Sequence, residues 1–282
     1  MKIMRSLLAA SAAMVLTASL SACVSDEAAE AGPAGGDSDT ITIGIKFDQP
    51  GLGLREGSDY TGFDVEVAKY VAKELGYEGD KVVFKESVSA QRETLIESGQ
   101  VKLIFATYSI TDARKEKVSF GGPYFIAGQD LLVSADNSDI TGPESLNGKK
   151  LCSVAGSTPA EKIKKEYAQQ VDLQEYDSYS KCVQELSAGS VDAVTTDNVI
   201  LAGFAAQQQY AGKLKLVGAP FSEERYGVGL KKGDTELCGK VNDAITKMID
   251  SGEWQKAIDN TVGPSGFEVD TATNPPKPDT CS

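Results

Sequence analysis

Short apolar runs alternate with amphipathic stretches along most of this chain. Runs rich in Ile, Val, Leu and Phe predict strands at 41–46, 82–85, 103–107, 151–154, 173–176, 193–195 and 214–217. Between them, apolar residues three and four apart predict helices at 63–75, 91–97, 159–168, 180–188, 198–208 and 235–249. In the first of these helices Phe63, Val67, Tyr70, Val71 and Leu75 share one face, and Gly76 stands where the helix should stop.

Such alternation builds βαβ units on a mainly parallel sheet, an α/β fold. The order strand, helix, strand, helix, strand occurs twice, over 41–107 and 150–195, which predicts two α/β lobes. Extended apolar segments at 129–134 and 226–231 follow the two units. The chain is therefore expected to leave lobe 1 (41–128), build lobe 2 (129–222) and return to lobe 1 (223–282). Two crossings make two hinge strands, and hinged lobes close on something held in the cleft between them.

The N-terminus reads differently. Residues 1–5 carry two positive charges and 6–22 carry none, the pattern of a secretory signal peptide. The uncharged run falls short of the roughly 20 apolar residues that a membrane span needs. Leu20-Ser21-Ala22-Cys23 resembles the bacterial lipobox, which implies cleavage before Cys23 and attachment of lipid, palmitate included, to that cysteine. Residues 23–40 hold almost nothing that could be buried and read as a flexible tether. The body is thus expected to be lipid-anchored at the outer face of the cytoplasmic membrane.

Composition narrows the chemistry. The 282 residues include 28 Lys+Arg and 41 Asp+Glu, a net charge of −13, and no histidine. Without imidazole there is no Ser-His-Asp or Cys-His catalyst and no His-ligated metal. The acidity argues against nucleic acid as a partner. Removing 1–22 takes away Lys2 and Arg5 and leaves the exported chain at −15.

Five cysteines divide into Cys23 and four others, an even number in an oxidising compartment. Of the three possible pairings, Cys152–Cys182 and Cys238–Cys281 keep each bridge within one lobe. Wide spacing with no C-x-x-C argues against zinc, and no metal or cofactor is expected.

Gly62-Phe63-Asp64-Val65-Glu66-Val67-Ala68-Lys69-Tyr70-Val71-Ala72 resembles the signature of family 3 of the bacterial solute-binding proteins, which serve amino-acid ABC importers. Family-like segments follow at 106–114, 154–159 and 191–197, and 43–53 looks most like the glutamate-binding lipoproteins within that family. The resemblance implies the two-lobed type II periplasmic-binding-protein fold, with the ligand in the interlobe cleft. It also implies partners: an amino acid, the permease subunits of an ABC importer and, indirectly, its ATPase. The protein itself is expected to be a monomer, tied to the membrane by lipid alone.

Burying either end of a zwitterion unpaired costs several kcal/mol, so such a cleft must supply both charges. By resemblance, Arg114 grips the α-carboxylate, for which a planar guanidinium is suited, and Thr107 and Ser109 offer further hydrogen bonds. Ser157 and Thr158, after Gly156 and before Pro159, are placed to complete that site at a helix start. Asp197 matches the acid that takes the α-ammonium; it could also cap the helix after it. Lys46 stands where relatives that bind basic amino acids carry an acid, and Arg92 matches an arginine aimed at a distal carboxylate. Three cations against one anion favour L-glutamate or another acidic amino acid; aspartate, glutamine or a further polar amino acid is the alternative.

Two other readings remain. Cyclohexadienyl dehydratases resemble the family, but that chemistry needs an acid or base in the cleft, and the sequence offers no spare carboxylate besides Asp197. A ligand-sensing ectodomain would be followed by a transmembrane or signalling segment, and none is seen. The protein is therefore read as a binding protein and not an enzyme.

Overall fold

The computed structural model describes residues 39–167 and 171–281. The expected signal peptide, Cys23 and the tether as far as residue 38 lie outside the described residues.

Each repeated unit forms the same three parallel strands with its first strand in the middle. In the first sheet β1 (Ile41–Ile45) lies between β5 (Val82–Glu86) and β6 (Leu103–Phe105). In the second, β9 (Lys150–Val154) lies between β10 (Asp172–Tyr176) and β11 (Ala193–Asp197). The connecting helices are α1 (Phe63–Glu74) and α2 (Arg92–Glu97) in the first unit, α4 (Thr158–Lys162) and α5 (Tyr179–Ser187) in the second.

Both sheets are mixed rather than mainly parallel. Strand β8 (Gln129–Ser134) arrives from the first sheet and pairs antiparallel with β11, followed by β12 (Leu214–Leu216) at the edge. Strand β13 (Glu224–Lys231) returns and pairs antiparallel with β6, with β7 (Val118–Ala127) beyond it. The segments 129–134 and 226–231 are thus ladder strands, and the chain passes between sheets at Gly128 and again over 217–223.

Strand β7 is absent from the sequence reading because Gly121-Gly122-Pro123 at its centre looks like a turn. It occupies a sheet edge, where proline's missing N–H removes no ladder bond. The expected 159–168 helix is α-helical only over α4 and continues as a π turn over Ile163–Tyr167. Three short strands, β2 (Asp48–Gln49), β3 (Gly53–Glu56) and β4 (Asp59–Thr61), form a small separate sheet. The helices not yet named are α3 (Asp112–Lys115), α6 (Asn198–Ala205), α7 (Thr235–Asp250) and α8 (Glu253–Thr261).

Helix α1 buries the face its periodicity predicts: Phe63, Val67 and Val71 are fully covered. Phe63 meets the rings of Phe125 and Trp254 at 5.6 and 5.5 Å, and burial of each such side chain contributes about 1.5–3 kcal/mol. Gly62 is required at the entry, because a Cβ there would stand 2.1 Å from the Leu52 carbonyl oxygen. Gly76, at φ 94°, follows the helix end as expected.

Both disulfides are formed: Cys152–Cys182 joins β9 to α5, and Cys238–Cys281 ties the C-terminal segment to α7. That segment runs along the outer edge of β7. Ile126 N–H donates to Asn274 Oδ1 and Asn274 Nδ2 donates to Ile126 O, both at 2.9 Å. Asp279 N–H donates to Gly122 O at 2.7 Å, and its carboxylate meets Arg225 at 2.8 Å. An edge that could otherwise recruit another strand is covered.

Candidate functional site

Loops at the carboxyl ends of the parallel strands face each other across the gap between the sheets. They meet around a narrow cavity lined by Arg92, Thr107, Ser109 and Arg114 from the first lobe and by Ser157, Thr158 and Asp197 from the second. Ser89, Pro159, Tyr179, Thr196 and Ile200 complete the lining. Sequence reasoning missed these five, although Pro159 and Thr196 directly adjoin predicted residues.

Thr107 follows β6 and holds a positive φ of 45°, a conformation that costs a β-branched residue about 1–3 kcal/mol. Its N–H donates to Asp64 Oδ2 at 2.8 Å, and the Tyr124 hydroxyl donates to Asp64 Oδ1 at 2.8 Å. Asp64 is the third residue of the signature segment and is completely buried. The signature therefore does more than supply a helix: its acid fixes the backbone of a cavity residue.

Both arginines pack against Tyr108, whose ring centre is 4.2 Å from the Arg92 guanidinium and 5.0 Å from that of Arg114. Arg92 donates to the carbonyls of Ser89 and Ala106 at 3.3 and 3.2 Å. Arg114 donates to Ser109 O at 2.8 Å and, across the lobes, to Gly156 O at 3.1 Å. Glu93 steadies the assembly, accepting from the Tyr108 hydroxyl at 2.7 Å and lying 3.6 Å from Arg114 Nε. Burial, then the neighbouring Arg114 charge, pushes Arg92 down to about 10, which leaves it protonated at neutral pH.

Lys46 departs from the sequence reading. It is not among the cavity-lining residues; its Nζ donates to Ser89 Oγ at 2.8 Å, one layer behind the wall. Burial, followed by repulsion from Arg92, lowers it to about 7. The expected three fixed cations reduce to Arg92 and Arg114.

Asp197 ends β11 and precedes α6, yet its side chain makes no capping bond, so the capping role open to it in the sequence is not taken up. The helix start is served by Asn198 Oδ1, which accepts from Val199 N–H at 2.9 Å. Asp197 Oδ2 accepts from the Tyr226 hydroxyl at 2.5 Å; Oδ1 is buried with no partner among the described residues. Burial, reinforced by the Glu224 carboxylate, pushes Asp197 up to about 8. A buried carboxylate oxygen left in this state attracts a cationic donor.

Ser157 Oγ lies 3.3 Å from Ser153 Oγ, and Thr158 donates to Glu224 Oε2 at 3.2 Å. Glu224, Glu93 and Asp64 correct the view that Asp197 is the one acid near the cleft. None of the three lines the cavity, each being engaged behind it by hydroxyl or amide donors.

The model of the bacterial extracellular solute-binding proteins, family 3, matches residues 41–264. The chain belongs to this family. A glutamate-binding protein of Corynebacterium efficiens is 44% identical over 94% of this chain and 93% of its own length. An ABC transporter glutamine-binding protein of Bacillus subtilis is 37% identical over 78% of this chain and 80% of its own. Among solved structures, an ancestral arginine-binding protein bound to glutamine superposes with a TM-score of 0.74 at 35% identity, covering 80% of this chain and 98% of that one. The solute receptor for L-cysteine of Neisseria gonorrhoeae gives 0.76 at 29% identity, covering 83% and 94%.

The family-3 protein is accordingly an extracellular solute-binding protein of amino-acid import, with the two-lobed type II fold, and not an enzyme. No helix among the described residues is long and apolar enough to cross a membrane.

Proposed function

We propose that this protein captures L-glutamate between its lobes and delivers it to the permease of an ABC importer. The carrying observation is the pairing, in one small cavity, of two guanidinium groups with a buried carboxylate oxygen that lacks a partner among the described residues. That inventory suits an amino acid with a second carboxylate. Asp197 takes the α-ammonium; Arg114, Thr107, Ser109, Ser157 and Thr158 surround the α-carboxylate; Arg92 meets the side-chain carboxylate. Lys46 contributes from behind Ser89. The names of the Corynebacterium relatives point to the same ligand.

Residues 41–128 with 223–282 form one moving lobe and 129–222 the other. The protein acts as a monomer held at the outer face of the cytoplasmic membrane by lipid on Cys23, its signal peptide having been removed.

Calorimetry of the mature body with glutamate, aspartate, glutamine and arginine tests the reading. Glutamate is expected to bind most tightly, and Arg92→Ala to weaken it by about a hundredfold or more while affecting glutamine less. Tightest binding of a neutral or basic amino acid would refute the charge argument.

A further inference from the structure

Away from the cavity, the lobes also meet where the β2–β3 turn reaches α5 and α6. Residues Gln49-Pro50-Gly51-Leu52 join β2 to β3, with Leu52 N–H donating to Gln49 O at 3.1 Å and Gly51 at φ 80°. Proline second and a positive-φ glycine third make a type II turn, which faces the Pro50 carbonyl outward. That carbonyl abuts Gly203 in α6 of the other lobe. A Cβ on Gly203 would stand 2.2 Å from Pro50 O and 3.1 Å from its carbonyl carbon; the next nearest atom is Pro50 Cβ, at 3.6 Å. Beside this contact, Ser180 N–H at the start of α5 donates to Asp48 Oδ2 at 3.1 Å.

Gly203 sits inside a helix, where glycine is less stable than alanine and nothing in the backbone calls for it. Apart from the backbone of its own helix, the atoms nearest its missing side chain belong to the opposite lobe. We propose that Gly203 is a positioning residue for closure. The Pro50 carbonyl seats against the bare α6 backbone and sets the angle at which Asp197, at the start of that helix, comes to face Arg92 and Arg114. A side chain at 203 would stop the lobes short of it. Gly156 shows a similar approach, its Cβ position 2.7 Å from Ala90 Cα, but at φ 74° any substitution there would also strain the turn. Gly203 is the cleaner probe.

The inference rests on ligand-driven lobe closure, not on which amino acid drives it. Gly203→Ala and Gly203→Leu are compared with wild type and with Gly239→Ala, a helical glycine whose added Cβ would meet nothing within 4 Å. Three quantities are read: glutamate affinity, melting temperature without ligand, and the contraction in small-angle scattering on adding glutamate, aspartate or glutamine. Affinity is expected to fall about tenfold for Gly203→Ala and about a hundredfold for Gly203→Leu, with contraction reduced in step. The ligand-free melting temperature should stay level or rise in the alanine variant, and Gly239→Ala should bind normally. Unchanged affinity and contraction in Gly203→Leu would overturn this proposal alone. So would an affinity loss in Gly203→Ala accompanied by a lower ligand-free melting temperature, since Gly203 would then be a resting packing position. A wild-type protein that contracts with none of the amino acids overturns both this proposal and the functional reading.

Discussion

Asp197, the proposed partner of the α-ammonium, shows how a binding residue would differ from a stabilising one. Its carboxyl titrates at about 8 in the folded chain against an ordinary 3.8, chiefly through burial. A raised folded pKa contributes stability that is full below the unfolded value and is lost as pH rises through the folded one. Ligand-free protein should therefore lose stability between about pH 4 and pH 8 through this group. Asp197→Asn removes the buried charge and keeps the shape. It is expected to flatten that part of the profile and to raise ligand-free stability at pH 8 by about 1–3 kcal/mol, read by denaturant unfolding. The same variant should lose glutamate binding by about a hundredfold or more. A variant that destabilises the protein at pH 8 would refute the assignment. Resemblance placed Asp197, Arg114 and Arg92 in the cleft. The sequence could not show that Asn198 makes the bond at the helix start and so leaves Asp197 uncapped, nor that Lys46 stops at Ser89.

At the scale of elements, the periodic segments were legible because a single buried face repeats along them. Helix α1 and the two sets of three parallel strands follow directly from such repeats. Strand β7 was not legible: its Gly-Gly-Pro centre contradicts strand propensity, and pairing with β13 together with the C-terminal segment imposes the extended form. That segment forms no helix or strand beyond Ser265 among the described residues, so its bridge should matter. The Cys238–Cys281 link closes a sequence separation of 43 residues, for which chain entropy gives about 4 kcal/mol. Replacing both cysteines by alanine is expected to cost up to that amount in equilibrium unfolding, with glutamate affinity nearly unchanged. A large affinity loss at unchanged stability would mean that the strap acts on the cavity and not on the fold.

For the whole molecule, net charge and ligand charge point in opposite directions. The chain carries −13, yet the cavity presents two arginines; screening over about 8 Å leaves the local charges in control. Because the proposed ligand site draws on both lobes, binding should stabilise the body as one unit. Glutamate at a hundred times its Kd should add about 2.7 kcal/mol to unfolding, and aspartate or glutamine at the same concentration less. Equal stabilisation by all three would remove the case for a dicarboxylate ligand.

The sequence by itself determined the repeated strand–helix units and the order in which the two sets of three parallel strands follow one another. These depend on periodicity and on order along the chain. Tertiary structure alone decided which candidates share one cavity, which charge stands a layer behind it and where the Pro50 carbonyl meets the helix at Gly203. Those facts are distances between residues far apart in sequence: Lys46 and Ser89 are separated by 43 positions, Asp48 and Ser180 by 132. No local pattern encodes such distances, because they follow from the packing of two complete lobes.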